Sequence, residues 1–177
     1  QFRKFVAGGG VLYASGVSSL DRRPNQEQRF LLEDVLGVKY KGTVGSKRIT
    51  YLTPRDSELS KVIWPQDHAS FTGTMVQVEA LPGTEVLATI TPPFVDPEIG
   101  RAIGSHFAAI HSNPPALTPG KDPAVVLNSF GKGRSIWIAA PIESKDETVN
   151  IHLTRHLLKR VFPPPYRFEL DARPAVE

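Results

Sequence analysis

The sequence predicts an α/β protein, and three stretches predict it. A short apolar run closed by a triple glycine, FVAGGG at 5–10, hands over to the alternating pattern VLYAS at 11–15, as a helix does when it feeds a strand in a layered α/β fold. PAVVLNSFGKGRSIWIAAPIE at 123–143 holds two apolar strands, Ala124 to Asn128 and Ser135 to Ala140, on either side of a Gly-Lys-Gly-Arg turn, which reads as a hairpin. NIHLTRHLLKRVF at 150–162 then spaces Ile151, Leu153, Leu157, Leu158 and Val161 as the inward stripe of an amphipathic helix, stopped by Pro163-Pro164-Pro165.

The remaining elements follow in chain order. VLYAS reads as a core strand, and SSLDRRPNQ at 18–26 as a polar loop. In NQEQRFLLEDVLGV at 25–38, Phe30, Leu31, Val35 and Leu36 recur at helical spacing. Asn25 suits the start of that helix and Gly37 its end. From Lys39 to Ile90 the texture turns to short β-rich pieces, VKYKGTV, KRITYLT, TGTMVQVEA and TEVLATIT, separated by turn residues, and these predict antiparallel pairing. LPGTE at 81–85 is a tight turn, since Pro82 presets its first central position and Gly83 tolerates the positive φ of the second. TPPFVDPEIGRAIG and HSNPPALTPGKDP frame SHFAAIHS in a long proline-studded region, of the kind that is functional or wrapped on a neighbour. YRFELDA closes the chain as an edge strand.

At 177 residues the chain has room for one domain, 1–177, with a sizeable core. A hydrophobic fraction of 40% beside 22% charged residues is that of a globular protein, and no run reaches the roughly 18 apolar residues a membrane-spanning helix needs. The basic excess of three is scattered, with Arg22-Arg23, Lys47-Arg48 and Lys159-Arg160 as its doublets. Nucleic-acid binding, which calls for a clustered basic face, is not expected. The absence of cysteine removes disulfides, thiolate metal ligands and a cysteine nucleophile together. It leaves the compartment open between cytoplasm and periplasm or beyond.

Few residues carry a chemical signal. GKG before Arg134 runs from strand to strand, whereas a phosphate loop runs from strand into helix, so it reads as a turn. AGGGV precedes its strand and lacks the spacing of a dinucleotide fingerprint. His152 and His156 stand one helical turn apart but lack an adjoining Glu and a third ligand, so no metal site is expected. His106 and His111, with Ser112 and Asn113, sit in the long irregular region where binding residues concentrate. Ser15 and Ser18 lack a nucleophile elbow. Among the acids, Glu143 follows a core strand and is the best placed carboxylate for acid–base work, although no second carboxylate pairs with it in the sequence.

The stretches FRKFVAGGGVLYASGVSSLD, FLLEDVLGVKYKG, EVLATI, HFAAIHSNPP, AVVLNSFGKGRSIWIAAPIE and LLKRVFPPP with FELDARPAVE occur in an order and spacing that resembles the glutamine-amidotransferase-like domain of bacterial glycoside hydrolases. In β-galactosidases it is called the trimerisation domain. The resemblance implies a flavodoxin-like three-layer α/β sandwich, here with an antiparallel β-rich insertion, and no cofactor. Glutamine hydrolysis in true class I amidotransferases uses a cysteine, which this chain lacks, so that activity does not carry over. The resemblance also implies a homo-oligomer and a catalytic barrel in the same polypeptide as partners. On that pattern the chain is the C-terminal part of a longer one, short of roughly 80 residues of the domain.

The leading expectation is therefore a non-catalytic accessory or oligomerisation domain, with His106, His111, Ser112, Asn113 and Trp64 as candidate ligand or subunit contacts. Two rivals stand beside it. In one the chain is itself a glycosidase-type hydrolase using Glu143 with His106 or His111. In the other it is a carbohydrate-binding module in which Trp64, Trp137 or Tyr40 stacks on sugar rings, Trp137 lying in an apolar strand that argues for the core.

Overall fold

The structure, a computed structural model, describes residues 1–45, 49–63, 68–95 and 113–162. Its first helix, α1 (Phe2–Ala7), ends at the triple glycine, where the Gly8 amide donates to the Lys4 carbonyl, the Gly9 amide donates to the Val6 carbonyl and Gly9 takes φ 113°, a conformation open mainly to glycine. The strand β1 (Val11–Ser15) follows. β2 (Leu20–Asp21) and β3 (Arg29–Phe30) form a small antiparallel ladder. Next come α2 (Glu33–Leu36), β4 (Val38–Val44), β5 (Thr50–Pro54), α3 (Ser57–Val62), β6 (Ser70–Phe71), β7 (Met75–Ala80) and β8 (Glu85–Thr91). The hairpin strands β9 (Pro123–Phe130) and β10 (Gly133–Ile138), a 3-10 turn (Ile142–Ser144) and α4 (Thr148–Val161) complete the described chain.

The fold is mixed α/β. Six strands form one sheet in the order β1-β10-β9-β8-β5-β6, and β4 pairs with β7 in a separate ladder. The β5, β7 and β8 pieces pair antiparallel as their sequences predict, and the LPGTE turn closes through the Thr84 amide on the Leu81 carbonyl, with Gly83 at φ 85°. Among the described residues of the large sheet only β1 and β10 run parallel; the other junctions are antiparallel. β1 is thus an edge strand of the described sheet rather than the core strand its pattern suggests, and Ala14 is its one buried residue.

Helices lie on both faces of this sheet. The Ser135 hydroxyl donates to the Val35 carbonyl at 2.6 Å, and the Asn128 amide donates to the Asp34 and Val35 carbonyls, which fixes α2 on the face shared by Ser135, Trp137 and their β1 partners Leu12 and Ala14. Because side chains alternate along a strand, Tyr13 and Ile136 point to the other face, where α4 packs with Leu153, Leu157 and Val161 fully buried. Trp137 is wholly buried at the centre, its ring edge-on to Phe30 at 5.9 Å and its indole N–H donating to the Gly16 carbonyl.

Glycine spacing explains the hairpin. A Cβ on Gly133 would stand 2.1 Å from the Val6 carbonyl oxygen, and one on Gly131 would stand 2.7 Å from Ala7 Cα. The Lys132 amide donates to the Ala7 carbonyl at 3.0 Å. The GKG turn and the AGGG turn are therefore packed backbone against backbone.

Two helical expectations are corrected. The 25–38 segment is helical only over Glu33–Leu36, because Phe30 is drawn into the core as part of β3 and Asn25 sits in a turn at φ 62° instead of capping a helix. Gly37 does end the helix, in the left-handed conformation. In α4, Ile151 is 51% exposed and Leu158 half-buried, while Asn150 takes an inward position and donates to the Ser70 carbonyl. YRFELDA lies outside the described residues.

Candidate functional site

β1 and β10 end together at Ser15 and Ile138, the carboxyl end of a parallel pair, where open α/β sheets place ligands. The chain leaves β10 through Ala139, Ala140 and Pro141 and enters the 3-10 turn that carries Glu143. The Ser144 hydroxyl and amide both return to the Pro141 carbonyl, which holds the turn. Tyr13 and Ser15, two apart on β1, share the face that meets this turn. The Tyr13 hydroxyl donates to one Glu143 carboxylate oxygen at 3.0 Å, and the Ser15 hydroxyl donates to the other at 2.5 Å. Burial, with the charge of Glu143 beside it, holds the Tyr13 hydroxyl far above the ordinary tyrosine value. It remains a donor across the physiological range.

A cavity of about 370 Å³ opens beside Glu143, walled by Thr154, Leu158 and Phe162 of the α4 side and rimmed by Lys145, Arg155 and Lys159. Among the described residues of its lining Glu143 is the single carboxylate, whereas hydrolysis of a glycoside by acid–base chemistry uses two. Two amides near Ser15 are already committed, the Gly16 N–H to the Ile138 carbonyl at 2.7 Å and the Ser18 N–H to the Ser15 carbonyl at 3.1 Å, so neither is free to serve as an oxyanion donor. With Glu143 held by two hydroxyls, the arrangement works as a latch between β1 and the turn after β10. Among the described residues no group of three His, Cys, Asp or Glu side chains could hold a metal ion, and no helix is long and apolar enough to cross a membrane.

Of the other expected site residues, His106, His111, Ser112 and Trp64 lie outside the described residues. Asn113 is buried, and both ends of its side-chain amide are engaged by Val95, the oxygen accepting from the Val95 amide at 3.0 Å and the nitrogen donating to the Val95 carbonyl at 2.9 Å. Its own carbonyl accepts from the Tyr51 hydroxyl at 2.6 Å. A side chain so committed serves as a clamp, which offers a ligand little. Trp137 is excluded as a sugar platform by its burial, and Tyr40 packs edge-on against Phe30 at 5.8 Å. Tyr13 and Ser15 as partners of Glu143 escape the sequence reading, since more than a hundred residues separate them. The alternation that puts 13 and 15 on one face is legible, but the parallel pairing that brings them to Glu143 is not.

No family model matches the chain, and neither does any curated protein. Solved structures do match in fold. A β-galactosidase from Rahnella sp. R3 superposes over 90% of this chain and 20% of its own, with a TM-score of 0.54 and 18% identity. A GH42 β-galactosidase from G. stearothermophilus gives 90% and 18%, a TM-score of 0.52 and 15% identity. A cytoplasmic protein from Salmonella typhimurium matches over 90% of this chain and 58% of its own, with a TM-score of 0.57 and 14% identity. The chain therefore spans about a fifth of the β-galactosidases it resembles. The likeness establishes a shared fold with part of those glycoside hydrolase chains.

Proposed function

We propose that residues 1–177 are a non-catalytic domain of a larger glycoside hydrolase, serving its assembly rather than its chemistry. The observation that carries this reading is the fold likeness to β-galactosidases, which takes in 90% of this chain but no more than 20% of theirs. The doubly engaged Glu143 supports it, because among the described residues the cavity beside it has no second carboxylate of the kind a glycosidase would need. On this reading the chain is the C-terminal part of a flavodoxin-like, trimerisation-type domain, and its helices on both sheet faces accord with that three-layer plan. Its partners are the catalytic barrel of the same polypeptide and further copies of it.

The test is turnover of a panel of aryl glycosides by the natural polypeptide and by residues 1–177. The natural polypeptide is expected to hydrolyse at least one member with kcat unchanged in Glu143→Gln, and residues 1–177 none. Turnover by residues 1–177 that disappears in Glu143→Gln would overturn the reading and make the chain itself the enzyme.

A further inference from the structure

α4 carries a second apolar stripe beside the one it buries. Leu153, Leu157 and Val161 are fully buried against the sheet, which completes the core-facing stripe expected of an amphipathic surface helix. Ile151, Leu158 and Phe162, at spacings of seven and four, fall on the next flank. Ile151 and Phe162 are 51% and 41% exposed, and Leu158 is half-buried. With Thr154 between them they form the helix wall of the cavity of about 370 Å³ beside Glu143. Small-molecule sites begin at roughly 300 Å³, so the space suits a small ligand.

Positive charge borders this stripe. Arg155 and Lys159 stand about one turn apart on α4, and Lys145 reaches the same rim from the turn after β10. Like charges at that helical spacing oppose each other. Lys159 is compensated by its place in the last turn of the helix, where the dipole favours a cation. Arg155, a turn earlier, is not. Among the described residues neither side chain has a hydrogen-bond or ion-pair partner. Lys145 differs, since its ammonium stands 5.4 Å from the centre of the Phe71 ring. Glu143 has one oxygen taken by the Tyr13 hydroxyl and the other by the Ser15 hydroxyl, and it forms no ion pair with either free cation.

We propose that this cavity binds a small organic carboxylate with an apolar body, its head held by Arg155 and Lys159 and its body laid along Ile151, Leu158 and Phe162. Two unpaired cations call for an anion, and the guanidinium fork of Arg155 matches the two oxygens of a carboxylate. The exposed apolar wall calls for a body that a simple anion lacks, because covering it removes apolar surface from water. A second copy of this face would set the cationic rim against its own like charges. Every group involved lies within residues 143–162, and none depends on the glycoside hydrolase reading.

Calorimetric titration of the natural polypeptide with octanoate tests it. Octanoate is expected to bind, and the double variant Arg155→Gln with Lys159→Gln to bind it at least about tenfold more weakly. Both positions are exposed, so the double variant keeps its fold, which an unchanged thermal midpoint checks. Ile151→Glu, which sets a carboxylate on the exposed wall, is expected to weaken binding by about as much, and Lys132→Gln on the distant hairpin tip to leave it unchanged. Octan-1-ol and acetate, which keep the body or the head alone, are each expected to bind at least about tenfold more weakly than octanoate. Absence of octanoate binding would overturn the proposal. Equal affinity in the double variant would overturn it too, as would equal affinity for octan-1-ol or for acetate. Since calorimetry of octanoate is blind to turnover, this result stands apart from the aryl glycoside assay.

Discussion

Tyr13 shows how one side chain ties stability to pH. Burial and the neighbouring Glu143 carboxylate both disfavour its phenolate, so its folded pKa lies above the ordinary value of 10.0. A raised folded pKa gives stability that is complete below the unfolded value and lost as pH rises through the interval above it. Urea unfolding midpoints measured from pH 8 to 11 are therefore expected to fall steeply above about pH 10, and Tyr13→Phe is expected to flatten that fall. An equally steep fall in Tyr13→Phe would place the alkaline sensitivity elsewhere. The residue scale is also where the sequence is least informative. Glu143 can be singled out because it follows an apolar strand, but a surface carboxylate gains a role only from its partners, and both of these arrive from the other end of the chain.

Elements are more legible than sites, for a physical reason. Turn chemistry is local, so the glycine stop before β1, the LPGTE turn, the hairpin over residues 123–138 and Gly37 as a helix end can all be read from adjacent residues. The 25–38 helix fails because periodicity is only half of the evidence: Phe30 is worth more against Trp137 and Tyr40 than on a helix, and tertiary burial overrides a weak local preference. Likewise Ile151 looks inward in a list of apolar residues but falls on the outer flank of α4. The glycines of the hairpin carry the element-scale prediction. Gly133→Ala drives a methyl into the Val6 and Gly10 carbonyls, both within 2.2 Å of the new Cβ. A loss of about 3 kcal/mol is expected in denaturant unfolding, with Lys132→Ala, on the exposed tip, near neutral as the control.

For the whole molecule, sheet order is what local signals cannot supply. Strand existence is written in alternation, whereas the placement of β1 beside β10 and of β8 between β9 and β5 depends on long-range burial. A cluster of charges joins these distant parts. Asp56 caps α3 by accepting from the Glu58 and Leu59 amides, and Arg160 of α4 bonds both Asp56 and Glu85 at the start of β8. Burial pushes the Asp56 carboxyl up, but Arg160 and the two amides outweigh it and hold the group below the ordinary 3.8. A depressed carboxyl gives stability that is complete above its unfolded value and lost as pH falls through the folded one. Acid unfolding followed by circular dichroism is expected to begin at higher pH in Arg160→Ala, and a superimposable acid limb would show that the cluster contributes nothing to it.

The clamp at Asn113 has a consequence for how this protein can change. Val95 and Asn113 are joined by two hydrogen bonds between the Asn113 side-chain amide and the Val95 backbone, and the segments beside them are laced by the Phe94 amide on the Pro114 carbonyl and the Ala116 amide on the Pro92 carbonyl. The residues on either side of the intervening 96–112 stretch are thus held to one another by these bonds and by the Pro93–Pro115 bridge. Such a gate with both posts set in the foundation lets the enclosed sequence drift, lengthen or be exchanged over generations while the building behind it stands.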